Sequence, residues 1–248
     1  MTRRAPSIRA GWTRRAVAVT MGAALLGAAG CSDSDEPEDP QETTAEPTAQ
    51  DRLDQAYDVL GQAGSVSLIL EGTDLPEEES AYVIKADGAG TTGPPAFDGT
   101  ITAKLAGVQA DVPTVAVDGE LFVKLPFSPV FTSVDPESLG VPDPARLFDG
   151  DLGVVSLLTK TDGAEFGEQS RVGGDVVQEV SGTLSGDLIV DLLNVGAPDS
   201  EYEVVYGLIE DDWEVRTVTI TGEFYPPATS TYTLTLDDYG VPVTVTAP

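Results

Sequence analysis

From Asp51 to the C-terminus, apolar positions mostly alternate with polar ones at period two, and three stretches break that rhythm with helical spacing. The alternation is cleanest at Thr100 to Ala106, where Ile101, Ala103 and Leu105 share one face and Thr100, Thr102 and Lys104 the other. Val66, Leu68 and Leu70 alternate likewise with Ser67, Ile69 and Glu71, and a further strand is expected near Ala81 to Ala86. Helical spacing first occurs at Asp51 to Ala63, where Leu53, Ala56, Tyr57, Leu60 and Ala63 form one stripe. The second such stretch, Pro142 to Lys160, has an Asp-Pro start at Asp143-Pro144 and another start at Asp151, ahead of Leu152, Val154, Val155, Leu157 and Leu158. The third is headed by Ser185, in cap position, and carries Leu188, Ile189, Leu192 and Leu193.

Turn residues punctuate the rest. Asp118-Gly119 joins Val112 to Val117 and Glu120 to Leu125 into a hairpin. Both faces of that hairpin are apolar, with Val115, Val117 and Phe122 opposite Leu121, Val123 and Leu125, so either face could point inward. Gly173-Gly174-Asp175 separates strands near Ala164 to Gln169 and Val176 to Gly182. The end reads as a meander of Tyr202 to Glu210, Trp213 to Thr221, Thr231 to Leu236 and Val241 to Val245. The fold class is therefore α+β, a large antiparallel sheet with helices packed on one face. Periodicity alone leaves open whether sheet and helices enclose a filled core or a hollow one.

The first fifty residues obey different rules. Five arginines precede a weakly hydrophobic Ala/Gly/Leu run from Ala16 to Gly30, too short to span a bilayer, and then comes Cys31, the single cysteine. Residues 1–30 read as an export signal, and LGAAGC as a bacterial lipobox whose cysteine receives a diacylglyceryl group and becomes the mature N-terminus. Ala28 stands where a lipobox usually has Leu. Thr13-Arg14-Arg15 leaves twin-arginine export open beside the general route. Residues 31–50, the lipidated cysteine and SDSDEPEDPQETTAEPTAQ, are expected to form an acidic disordered tether reaching about 25 Å. Residues 51–248 are then one folded domain.

Charge narrows the possible partners. Residues 1–30 hold five of the 13 basic residues and none of the 42 acids, so 8 basic and 42 acidic side chains remain beyond them, a formal charge of −34. Nothing clusters the remaining cations, and nucleic acid is not an expected partner. The chain has no histidine, which removes the ordinary Ser/His/Asp constellation and points away from an enzyme. Asp149-Gly150-Asp151 and the Asp pairs at 211 and 237 lack the spacing of a calcium loop and read as turns and caps, so neither metal nor cofactor is expected.

Taken in order, the lipobox, the acidic tether, the amphipathic first helix, the hairpin VAVDGELFVKL, the stretch DPARLFDGDLGVVSLL and the terminal TYTLTLDDYGVPVTVTAP resemble the actinobacterial lipoproteins of the LppX, LprA, LprF and LprG group. The resemblance spans essentially the whole chain beyond the signal. It implies a strongly curved antiparallel half-barrel with helices on its concave face, around a hydrophobic cavity that accepts acyl chains of envelope lipids or lipoglycans. It also implies a monomer on the extracytoplasmic face of the plasma membrane, carrying or loading such lipids toward the outer envelope, in some members beside an efflux-type transporter. Cys31 is the one residue whose role is carried over directly. The lining follows from alternation and helix faces instead: Leu68, Leu70, Ile101, Ala103 and Leu105 from strands, with Val155, Leu158 and Leu192 from helices. The other reading is a surface structural or adhesive lipoprotein with a filled core. Hiding one CH₂ from water is worth about 0.8 kcal/mol, so a 16-carbon chain needs roughly 12 kcal/mol of shelter and must be wrapped almost entirely.

Overall fold

The computed structural model describes residues 46–136 and 142–248. The expected signal, Cys31 and nearly all of the expected tether lie outside the described residues.

Helix α1 (Ala49–Gln62) starts slightly earlier than its stripe suggests. Thr48 and Asp51 form a reciprocal capping box, each side chain bonding the other's backbone N–H, so Ala49 and Gln50 belong to the helix and not to the tether. Accepting from the Thr48 N–H and hydroxyl also holds the Asp51 carboxyl below its ordinary pKa. Beyond Gly64 the chain turns back and forth through β1 (Ser65–Thr73), β2 (Ala81–Thr92), β3 (Pro95–Leu105), β4 (Val108–Val117), β5 (Glu120–Val123) and β6 (Thr132–Val134). After a crossing segment it resumes with β7 (Asp162–Val172), β8 (Asp175–Ser185), β9 (Glu201–Ile209), β10 (Val215–Tyr225) and β11 (Ala228–Asp237). All eleven join one open antiparallel sheet in the order β6-β5-β4-β3-β2-β1-β11-β10-β9-β8-β7.

That order decides three things. First, β1 and β11 pair at the centre, from Ser67 opposite Asp237 to Thr73 opposite Thr231. Their other sides are taken by β2 and β10, so no free ladder remains beside β11 for the expected strand at Val241 to Val245. That segment has no strand structure and is held by single bonds, Gly240 N–H to Ser65 O and Ser65 Oγ to Val241 O. Second, β6 and β7 are opposite edges, so the chain between them must cross the sheet. It does so on the apolar face, carrying a 3-10 turn (Pro144–Phe148) and helix α2 (Val154–Thr159). Third, every hairpin turn falls at one of two ends. Asp118-Gly119 and Gly173-Gly174 lie at one, Ala106-Gly107 and Pro226-Pro227 at the other.

The crossing segment corrects the sequence at its helix starts. Asp143 caps the 3-10 turn through Ala145 N–H as expected, but α2 begins at Val154 and not at Asp151. Asp149 is the reason: its carboxylate accepts from both Asp151 N–H and Leu152 N–H at 2.8 Å, holding those residues in a turn. Helix α3 (Gly186–Leu193) has Ser185 in cap position, yet the Ser185 side chain makes no cap bond.

The β2–β3 hairpin is longer than the sequence suggests, since Asp87–Thr92 and Pro95–Gly99 look like loop. Gly88 and Gly99 face each other across the ladder with the Phe97 ring over them, and a Cβ on either would strike that ring. The glycines thus make a socket for Phe97, which is fully buried and stacked on Phe148 at 6.2 Å. This stack pins the 3-10 turn to the sheet. A similar constraint holds at Gly222, where a Cβ would meet the ring of Tyr202. That ring cannot retreat, because its hydroxyl donates to Glu223 O at 2.9 Å and accepts from Ala197 N–H at 3.2 Å while Phe224 packs 5.0 Å away. Gly222→Ala is expected to destabilise the domain by about 1 to 3 kcal/mol, measured by urea unfolding.

Candidate functional site: an apolar recess on the concave face

The apolar face is filled unevenly. Over β8 to β11 it carries large side chains, among them Tyr202, Tyr206, Leu208 and Phe224, all nearly or wholly inaccessible. Leu53, Ala56 and Leu60 of α1, Leu157 and Leu158 of α2, and Ile189 of α3 join them in one packed core. Tyr206 closes this half by bonding Thr161 Oγ at 2.8 Å, and Thr161 in turn donates to Leu157 O. Burial holds the Tyr206 phenol well above its ordinary pKa, so it stays a neutral hydroxyl.

Over β1 to β5 the inward side chains are shorter, and they leave space. A pocket of about 150 Å³ is bounded by Leu70 of β1, Ala86 of β2, Ile101, Ala103 and Leu105 of β3, Val112 and Thr114 of β4, and Leu121 and Val123 of β5. Leu147 from the 3-10 turn and Leu193 from the end of α3 close it from above. Residues on β1 and β5 line one pocket although four strand spacings, roughly 19 Å if flat, separate them in the sheet, so the sheet curls here. A second pocket of about 70 Å³ shares Leu70, Val83, Ala103, Leu105 and Leu193 with the first and continues it toward Tyr82, Tyr225 and Tyr232. A third, of about 20 Å³, adjoins it across Leu147, between α1, α2 and β1.

The recess is mostly apolar. Thr114 turns its hydroxyl back to Val112 O at 2.9 Å. Tyr225 and Tyr232 bond each other at 2.9 Å, and Tyr232 donates to Val83 O. Burial raises both phenols' pKa, and Asp143 spends its carboxylate on the Ala145 N–H. The hydroxyls of Thr114, Tyr225 and Tyr232 are therefore turned onto protein partners, and the lining of the space is mostly carbon. Such a surface favours a guest of methylenes over one of hydroxyls.

The residues singled out from sequence fall into three groups. Leu70, Ile101, Ala103 and Leu105 line the main pocket, and Leu70, Ala103 and Leu105 also bound the second. Leu68 and Val155 lie on the small third pocket. Leu158 is inaccessible within the packed core, and Leu192 lies against an outer cleft beside Asp191 and Asn194. Helix α3 presents Leu193 to the chamber in place of Leu192. Missed from sequence were the β4 and β5 side chains Val112, Leu121 and Val123, whose hairpin had no marked inner face, and Leu147. Among the described residues no helix is long and apolar enough to cross a membrane.

Comparison with known proteins gives a consistent picture. The LppX_LprAFG lipoprotein family matches residues 48–245. The lipoarabinomannan carrier protein LprG of Mycolicibacterium hassiacum is 28% identical over 224 residues, 89% of this chain and 91% of that protein. The crystal structure of LprF from Mycobacterium bovis superposes with a TM-score of 0.69 at 16% identity, covering 81% of this chain and 96% of LprF. Mycobacterium tuberculosis LppX does so at 0.61 and 17%, covering 82% of this chain and all of LppX. At those identities the two structures speak for the fold, an open half-barrel with few helices.

Proposed function

Because the chain belongs to the LppX_LprAFG lipoprotein family, we propose that it binds acyl chains of an envelope lipid or glycolipid in its concave-face recess and carries or loads them between the plasma membrane and the outer envelope. The observation that carries this reading is the pair of adjoining, mostly carbon-lined pockets centred on β1 to β5, beside the packed core that Tyr202, Tyr206 and Leu208 of β9 build with the helices. The kinship with a lipoarabinomannan carrier makes an acylated glycolipid the leading cargo. The chain acts as a carrier and not as an enzyme, with an efflux-type transporter as a candidate source of cargo.

The recess sets a condition on binding. A cavity of 150 Å³ accepts a guest about the size of benzene, so the spaces seen here hold part of an acyl chain and must widen to take all of it. The wall able to yield is the one made by Pro142, Asp143, Pro144 and Leu147 of the crossing segment and Leu193 of α3, which is not part of the hydrogen-bonded sheet. Protein purified from a native-like host and extracted with organic solvent is expected to release acyl lipid in near-stoichiometric amount by mass spectrometry. Absence of lipid would favour the surface structural lipoprotein with a filled core.

Anchoring is proposed at Cys31, the only cysteine, in the lipobox LGAAGC. Cys31→Ser is expected to abolish incorporation of radiolabelled palmitate and to release the chain from membranes or leave it unprocessed. Label retained by that variant would rule the anchor out.

A further inference from the structure

At the end of the sheet that carries Ala106-Gly107, the loop between β5 and β6 reads Leu125-Pro126-Phe127-Ser128-Pro129-Val130. Ser128 N–H bonds Leu125 O at 3.0 Å, closing a four-residue turn with Pro at its second position and Phe127 at its third. The Phe127 φ is +70°, a value that turns of this kind normally assign to Gly or Asn. A bulky residue there is a genuine outlier. Its ring gains no burial in return, being 106% exposed. Val130 and Leu125 are also exposed, as are Leu105 and Val108, which flank the β3–β4 turn at the same end. Two prolines and a Ser128 Oγ bond to Val130 O hold the loop in shape.

The patch is continuous with the recess. Leu125 and Leu105 are at once exposed and part of the wall of the main pocket, so the apolar rim leads directly inward. Lys124 stands at the base of the loop, where an ammonium would meet phosphates once the ring beyond it entered the acyl region. The 16 residues between Cys31 and Thr48 span at most about 58 Å, which keeps the domain within reach of the anchoring bilayer.

We propose that the Leu125–Val130 loop is a wedge that inserts Phe127 into a phospholipid bilayer and opens the recess onto it, so that an acyl chain passes along Leu125 and Leu105 without crossing water. The wedge supplies the entry route for the carrier reading above and rests on it only for the identity of what passes. An interfacial Phe on a rigid loop accounts for a strained backbone that exposes an apolar ring.

The test uses the membrane-isolated chain in phosphatidylcholine vesicles, with Phe127→Trp read against lipids brominated near the top of the acyl chain. Trp213, under the Arg52 guanidinium at the opposite end of the sheet, is the internal reference. Strong quenching in Phe127→Trp, none in the wild type, and recovery on exchange into bromine-free detergent are expected. Quenching that survives the exchange reports a brominated lipid held as cargo and overturns the wedge. So does equal emission in plain and brominated vesicles, or a blue shift that grows with protein concentration without vesicles, which marks a second copy covering the patch. As a second variant, Phe127→Asn tolerates the positive φ and should hold or raise the melting temperature while slowing lipid uptake from vesicles about tenfold. Its affinity for detergent-dispersed lipid should not change. A lowered melting temperature with unaltered uptake would make Phe127 a structural residue and sink the proposal. Bilayer quenching in a protein that binds no dispersed lipid would leave the wedge standing and remove the carrier reading instead.

Discussion

Ala103→Trp should yield a folded domain that no longer retains acyl lipid. Ala103 lies on the wall shared by the main and second pockets, and its partners across the ladder are Val83 and Ala110, so nothing bulky meets it in the sheet. An indole is slightly larger than the benzene that a 150 Å³ space accepts, so it plugs the chamber where the pockets join. In a dense interior that added volume costs about 1 to 3 kcal/mol, whereas here the ring enters space already present and the expected cost is below about 1 kcal/mol. Ile101→Trp, one residue pair along the same face, should behave alike. Thr102→Trp is the control: its hydroxyl donates to Asp111 on the other face of β3, and the variant should keep its lipid. Mass spectrometry of bound lipid gives the first quantity and thermal unfolding of delipidated protein the second. A large loss of stability at Ala103, with no lipid in the wild type, would mean a packed core and end the carrier reading.

Much of this architecture was legible in the alternation of side chains, because a period of two is a direct consequence of strand geometry and survives any choice of residue. Asp118-Gly119 illustrates the local signals: both residues take positive φ, as a two-residue hairpin requires. The sequence misled where a residue's reason lay across the sheet. Gly88, Gly90, Gly93, Pro94 and Pro95 look like a loop, yet two of those glycines admit the Phe97 and Phe148 rings to a ladder that continues around them. Val241 to Val245 has a strand's composition but meets no vacant edge, a fact of topology alone.

The hollow was harder to see than the fold for a related reason. Ile101 and Leu158 are equally apolar and equally well placed on an inward face, and pattern cannot separate them. What separates them is the size of what fills each region: Leu158 shares the packed core with Tyr206 and the helices, while Ala86, Ala103 and Val112 leave Ile101 facing space. The hint in sequence was the run of Ala, Val and Thr along β2 to β4, set against Tyr202 and Tyr206 of β9. Only the strand order assigns those runs to opposite halves of one face.

Leu158→Ala should expose that division energetically. The side chain is inaccessible, in a helix that packs on α1, with its carbonyl accepting from Gln50 Nε2 at 3.4 Å. Neighbours on every side are fixed: Thr161 is bonded to both Leu157 O and Tyr206, and α1 is held at its start by the capping box. The site cannot collapse, and truncation in such a place costs about 2 to 5 kcal/mol. For a domain of this size that lowers the melting temperature by roughly 5 to 15 °C. Leu70→Ala removes the same atoms from the chamber wall, where part of the side chain already borders empty space, so its cost should fall below about 1.5 kcal/mol. Lipid retention should reverse the ranking: Leu158→Ala keeps its lipid below its melting temperature, while Leu70→Ala binds it more weakly. Calorimetry of the two delipidated variants, together with lipid retained by each, reads all four numbers. Equal losses of stability would mean that the β1 to β5 half is packed as tightly as the other, and the chamber would have no place in the protein.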